Sequence, residues 1–170
     1  MTTQKVFDAF LVLQHQSGDK KALSLLVERH HLKLCRHVCW FLHDMDASKD
    51  VVQDCWGTII KKLDGLNDPN AFGSWAMSIV TRKSLNELNK RTREREKLKA
   101  IVTVEIDEDA VNEKNADIEK MKHAINGLTK DQQIVLRLFY TQEYSLKEIG
   151  YILNISVGTV KSRLFHARKS

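Results

Sequence analysis

The chain has 170 residues and is 42% hydrophobic, with 27 Lys and Arg against 22 Asp and Glu for a formal charge of +5. That apolar content supports packed cores rather than disorder, the length holds one ordinary domain or two small ones, and the basic balance leans toward a polyanionic partner. No apolar run approaches the roughly 20 residues that span a bilayer, and MTTQKVFDAFLVLQ lacks the basic start and long apolar stretch of a signal peptide, so a cytoplasmic protein without membrane insertion is expected.

A single proline, Pro69, and seven glycines, with long stretches of period near 3.6, predict an all-α chain without strands. Leu23, Leu26, Val27, Leu34, Val38 and Leu42 mark one or two early helices, and Val51, Val52, Cys55, Ile59, Ile60 and Leu63 mark another. Three cysteines, Cys35, Cys39 and Cys55, make an odd number in a chain with no export signal and are expected to be reduced. His31, Cys35, Cys39 and His43 recur every four residues. This is the repeat of any helical core stripe, and no CxxC knuckle accompanies it, so no metal or cofactor is expected; thiol or zinc sensing through His31, Cys35 and Cys39 is the alternative.

Within DVVQD, Val51 and Val52 suit the core, while Asp50, Gln53 and Asp54 present acid and amide groups on another face, fitted to a basic protein surface or simply to the positive end of the helix dipole. Turn residues cluster from Asp64 to Ala71, and a long helix follows from near Phe72. Phe72 and Trp75 read as core rather than as base-stacking rings. From Arg82 onward the helix turns basic, with eight Lys or Arg to three Glu up to Lys99. Across 104–119 the balance reverses to seven acids against Lys114. That reversal predicts two small helical domains, 1–97 and 117–170, joined by an acidic linker at 98–116.

Beyond the linker, Ile118, Met121, Ile125 and Leu128 renew the helical pattern. Thr129 with Gln132 predicts a capping box, and Val135, Leu136, Phe139 and Tyr140 the buried side of the helix it opens. The segment SLKEIGYILNISVGTVKSRLFHAR, 145–168, has the punctuation of a helix-turn-helix. Ser145 and Glu148 form a second capping box, Leu146, Ile149 and Leu153 face inward, Gly150 gives the partner helix room, Asn154 takes a left-handed turn and Ser156 caps the second helix. In that helix Val160, Leu164 and Ala167 face inward, leaving Thr159, Lys161, Ser162, Arg163 and His166 outward. Short polar groups and cations of this kind suit base edges and phosphates in the major groove.

EIGYILNISVGTVKSRLFHARK resembles region 4 of the extracytoplasmic-function sigma factors. LVERHHLKLCRHV, DVVQDCW and FGSWAMSIVTRKSLNELNKR resemble sigma region 2, in the order and approximate spacing of that family. The resemblance runs from about Leu23 to the end and implies a subunit that directs RNA polymerase in promoter recognition, melting and initiation, not an enzyme. It implies that Asp50, Gln53 and Asp54 dock on the clamp helices of core polymerase. Asn67 and Asn70 would line a pocket for an unpaired minus-ten base, with Arg82, Lys83, Asn86, Asn89 and Lys90 following the strand. It places Lys161, Ser162, Phe165 and His166 at the base-facing positions for the minus-thirty-five element, beside Ser156, Thr159 and Arg163. Contact with the polymerase flap, an anti-sigma partner and a monomeric free state are further expectations. LTKDQQIVLRLF through ISVGTVK also resembles the output domain of LuxR-type regulators, so a regulator that binds duplex operators without polymerase is the alternative.

Overall fold

The computed structural model describes residues 2–99 and 116–169, so the expected acidic linker lies largely outside the described residues. The chain divides into two compact units, Met1–Arg95 and Glu96–Ser170. Among the described residues all regular structure is helical.

The first unit holds α1 (Thr3–Gln16), α2 (Lys20–Leu42), α3 (Met45–Leu63) and all but the last four residues of α4 (Phe72–Lys99). The early apolar stripes form α2, one unbroken helix opened by Asp19, whose carboxylate accepts from the Lys21 amide. It ends at His43, which takes the left-handed conformation (φ 53°) and donates its backbone N–H to the Cys39 carbonyl at 2.8 Å. Asp44 then caps α3 by accepting from the Ala47 amide. Leu26, Leu34, Val38, Phe41, Ile59, Leu63, Phe72 and Met77 are fully buried, each contributing about 1.5–3 kcal/mol by leaving water. Ile60, expected in the stripe of α3, is exposed, and Trp75 is half-buried beside the buried Phe72.

Helix α1 is an element that the apolar pattern did not call out. Its Asp8 is buried against α2, accepting from Arg29 Nε at 2.8 Å and contacting His30 Nε2 at 2.9 Å. Its last residue, Gln16, donates from Nε2 to the carbonyls of Leu63 and Leu66 at 3.0 and 3.1 Å, tying α1 to the turn before α4. In that turn Asp68 accepts from the Asn70 backbone and starts a short 3-10 turn, Pro69–Ala71, that runs into α4.

The second unit holds α5 (Ala116–Asn126), α6 (Lys130–Leu136), α7 (Leu146–Leu153) and α8 (Val157–Lys169). Both expected capping boxes, Thr129 with Gln132 and Ser145 with Glu148, are formed. After α6 the chain makes a π turn, Arg137–Thr141. The buried side is Ile134, Val135 and Leu138, a correction by one position to the expected stripe, whose Leu136 and Phe139 are half-buried and whose Tyr140 is well exposed. Ile134 and Leu138, four apart, keep the α-helical repeat with Val135 beside them, so the expected stripe had the right period in the wrong register. Gln133 ties α6 back to α5 by donating to the carbonyls of Ile125 and Leu128.

Candidate nucleic-acid interface

The helix-turn-helix of α7 and α8 is built by local chemistry. Asn154 ends α7 at φ 54°, ψ 47°, and the next amide, Ile155, returns to the Gly150 carbonyl at 2.9 Å. A Cβ at Gly150 would sit 2.9 Å from the Ile155 carbonyl oxygen, so glycine permits the close approach of helix and turn. Ser156 Oγ accepts from the Thr159 amide at 3.0 Å and starts α8. Ile149, Ile152, Val160 and Leu164 are buried between the two helices, while Leu146, Leu153 and Ala167 are half-buried.

The helix period then fixes what α8 presents. Ser162, Phe165, His166 and Lys169 lie opposite the Val160–Leu164 seam and are exposed, with exposed Lys161 on one flank and half-buried Thr159 on the other. Phe165 is 53% exposed, with His166 edge-on at 5.5 Å and Lys169 Nζ 4.5 Å from its ring centroid. An exposed ring among hydroxyl, imidazole and amine groups combines thymine-methyl contact with hydrogen bonding and phosphate attraction. Arg163 departs from its expected outward placement, being half-buried with Nη2 2.7 Å from Asp131 Oδ2 on α6. Arg168 stays exposed but also bonds protein, donating from Nε to the Tyr140 hydroxyl at 2.8 Å. Neither pairing was legible locally, since each partner lies more than one helix away.

In the first unit Asp50, Gln53 and Asp54 are exposed together on α3, opposite the buried Val51, Val52 and Cys55. On α4 the exposed Arg82, Lys83, Asn86, Asn89 and Lys90 follow the turn that carries exposed Asn67 and Asn70. Lys83 Nζ lies 3.5 Å from Asp54 Oδ2, so the α3 acidic face and the α4 basic face adjoin. The Asn70 side chain is oriented by Asp68, to which its Nδ2 donates at 3.3 Å.

Cys35 and Cys55 are buried beneath the helix surfaces. Cys35 Sγ is 3.5 Å from His31 Nε2, and His31 Nδ1 accepts from Trp56 Nε1 at 3.3 Å, so this imidazole joins α2 to α3. His43 leaves the four-residue stack because its left-handed backbone ends the helix. Burial pushes the Cys55 thiol up to about 11, away from thiolate chemistry. No group of three or more His, Cys, Asp or Glu with metal-holding geometry occurs among the described residues, and none of the described helices is long and apolar enough to cross a membrane.

A buried seam that aims one polar, cationic helix face outward makes the second unit a helix-turn-helix DNA-binding module, and the chain a helical transcription protein. Residues 26–94 match the family described as Sigma-70 region 2, and residues 118–170 the family described as Sigma-70, region 4. The RNA polymerase sigma-H factor of Pseudomonas aeruginosa is 29% identical, with 100% of this chain and 94% of that protein covered. The ECF RNA polymerase sigma-E factor of Escherichia coli is 28% identical, with 99% and 94% covered. Among solved structures, CnrH in complex with the cytosolic domain of CnrY shares the fold at 23% identity and TM-score 0.69, over 96% of this chain and 93% of that one. RpoE of Bartonella quintana, solved with the anti-sigma factor NepR, does so at 21% identity and TM-score 0.67, over 88% and 93%. The chain belongs to the extracytoplasmic-function sigma factors: it is an RNA polymerase sigma factor and acts in transcription initiation. A region 2 match across α2 to α4 does not favour the LuxR-type regulator.

Proposed function

We propose a division of labour in which residues 1–97 dock on core polymerase and hold the melted minus-ten strand, 98–116 serve as the acidic linker, and 117–170 read the minus-thirty-five duplex and touch the polymerase flap. Asp50, Gln53 and Asp54 are the surface for the clamp helices. Melting a duplex costs stacking energy, and a pocket for one unpaired base with cations along the freed backbone offsets it. Asn67 and Asn70 form that pocket, and Arg82, Lys83, Asn86, Asn89 and Lys90 follow the strand. Lys161, Ser162, Phe165 and His166 face the base edges of the upstream duplex. Ser156 and Thr159 start the helix beside them, and Arg163 stands at its flank, held by Asp131. The observation that carries this reading is the exposed face of α8, which sets Ser162, Phe165 and His166 opposite the buried Val160 and Leu164.

The protein is an initiation factor without enzymatic chemistry, acts in the cytoplasm and is monomeric when free. An anti-sigma partner that covers its DNA-reading faces restrains it, as NepR accompanies RpoE of Bartonella quintana in a solved complex.

In vitro transcription on genomic fragments tests the proposal, with core polymerase alone, core plus this protein, and core plus an Asp50→Lys/Asp54→Lys variant. New defined start sites that vanish with the variant are expected. A protein that yields no starts, and alone footprints a symmetric duplex site, would instead be a regulator independent of polymerase.

A further inference from the structure

Helix α1 is apolar on its outer side as well as its inner one. The inner side buries Asp8, Ala9, Leu11 and Val12. On the outer side Val6, Phe10 and Leu13 recur at spacings of four and three with Phe7 beside them, and all four are 42–53% exposed. The charged or titratable residues of the helix, Lys5, Asp8 and His15, all fall on the inner side, where Asp8 is buried and the other two are half-buried. The Phe7 and Phe10 rings stack at 6.3 Å in the open. A single exposed leucine is ordinary, but four large apolar side chains grouped on one helix mark a contact surface.

Cations border this strip. The Arg29 guanidinium lies 4.8 Å from the Phe7 ring centroid, which joins the outer side of α1 to α2. On α2, Lys21, Leu25, Arg29, Leu32 and Arg36 follow one another at spacings of four, four, three and four, an exposed stripe in which cations and leucines alternate. Glu28 falls at the edge of the stripe away from Arg29, and the Asp19 carboxylate accepts from the Lys21 amide to cap the helix. Arg29 already answers Asp8, whereas Lys21 and Arg36 carry their charges on the exposed stripe.

This mixture decides what would cover the surface. Nucleic acid would meet the cations but gain little from Val6, Leu13, Leu25 and Leu32, which are not rings on which a base could stack. A second copy docking through the same patch would set cation against cation around a two-fold axis. An anionic bilayer surface satisfies both chemistries. Rings and leucines enter the boundary between headgroups and acyl chains, while lysine and arginine stems lie along it and their charges reach the phosphates. A helix ridge needs no matching groove there.

We propose that the outer side of α1, with the adjoining stripe of α2, binds the surface of a membrane rich in anionic lipid, lying in the interface without crossing it.

Co-flotation of the full chain with vesicles tests this, comparing equal parts of phosphatidylglycerol and phosphatidylcholine with phosphatidylcholine alone. The chain should float with the mixed vesicles and bind the neutral ones roughly tenfold more weakly or less. Phe10→Gln/Leu13→Gln should lower partitioning into mixed vesicles roughly tenfold or more, and Lys21→Gln/Arg36→Gln about thirtyfold. Ile118→Gln/Met121→Gln, an exposed apolar pair on α5, should bind as the parent does. Thr3→Leu extends the α1 strip at an exposed position without removing anything, and should strengthen binding several-fold. Promoter-directed starts with core polymerase should persist in Phe10→Gln/Leu13→Gln, which shows that the variant folds. Binding that survives that variant, that falls equally with the α5 pair, or that gains nothing from Thr3→Leu would be general adhesion of a basic chain and would overturn the proposal. A parent chain that ignores both vesicles overturns it too; if it self-associates through Phe10 and Leu13 in sedimentation, the face is an interface between copies instead.

Discussion

Arg163 of the recognition helix places Nη2 2.7 Å from Asp131 Oδ2 on α6, so a cation that the helical repeat assigned to solvent faces protein instead. With Arg168 bonded to Tyr140 at the other end, α8 is held at two points against the rest of its unit. Both contacts brace α8 in the rotation that the buried Val160–Leu164 seam sets.

Arg163→Gln should therefore weaken binding to a minus-thirty-five duplex only a few-fold, consistent with a partly exposed ion pair of about 0.2–1 kcal/mol. Its salt slope should match the parent, whereas Lys161→Gln should lower the slope by about 1. The swapped pair, Arg163→Asp with Asp131→Arg, should recover much of the affinity. Anisotropy titrations across a salt series would check this; a slope reduced by about 1 in Arg163→Gln would mean that Arg163 touches a phosphate.

Gln16 lies about 50 positions from Asn67 and Asn70 in sequence, yet its amide holds the Leu63 and Leu66 carbonyls at the start of the loop that presents them. Gln16→Ala leaves two part-buried carbonyls without this donor, a loss of about 1–3 kcal/mol. Single-stranded minus-ten binding by the holoenzyme should fall several-fold while binding to a minus-thirty-five duplex stays unchanged. Equal loss on both would point to general unfolding.

At Gly150 the neighbouring Ile155 carbonyl leaves no room for a side chain. Gly150→Ala should destabilise the second unit by about 1–3 kcal/mol, because the α7–α8 turn must open to admit the methyl group. Differential scanning calorimetry should show this as a lower melting temperature. Gly158→Ala serves as the comparison, since a Cβ there meets only the Ser156 hydroxyl at 3.7 Å, and it should melt close to the parent.

Burial would raise the Asp8 carboxyl, but hydrogen bonds and charge from His30 and Arg29 outweigh it and hold the group below its ordinary value of 3.8. A carboxyl depressed in the folded state stabilises fully above the unfolded value, and that stabilisation is lost as pH falls below about 3.8 through the lower folded value. Asp8→Asn should cost about 2 kcal/mol near neutrality, where it strands Arg29 and His30. In urea titrations the gap between variant and parent should shrink as the pH is lowered past that range. A gap that persists at the lowest pH would assign the effect to packing instead.

Much of the second unit was legible because its signals are local. A capping box spans four residues, Asn154 takes its left-handed turn on its own, and Ser156 reaches only to Thr159. The outward placement of Ser162 and His166 follows from periodicity within one helix, and that of Phe165 was implied by the family resemblance. Reasoning from periodicity failed in α6, where adjacent apolar residues offer one period in two registers and the buried stripe is Ile134, Val135 and Leu138 rather than the one through Leu136 and Phe139. It failed again at Arg163, where a carboxylate from another helix turned the side chain inward.

The sequence by itself determined the all-helical class, the starts of α4, α6, α7 and α8, the ends of α3 and α7, and most of the faces of α3 and α8, because helix periodicity, caps and turns depend on residues within a few positions of one another. Only the tertiary structure decided the role of α1, the anchoring by Gln16 of the loop before α4, the burial of Asp8 with Arg29 and His30, and the inward turn of Arg163. Each joins residues about 20 to 50 positions apart. A polar side chain with no local partner reads as solvent-facing until packing brings a distant donor or acceptor within hydrogen-bonding reach.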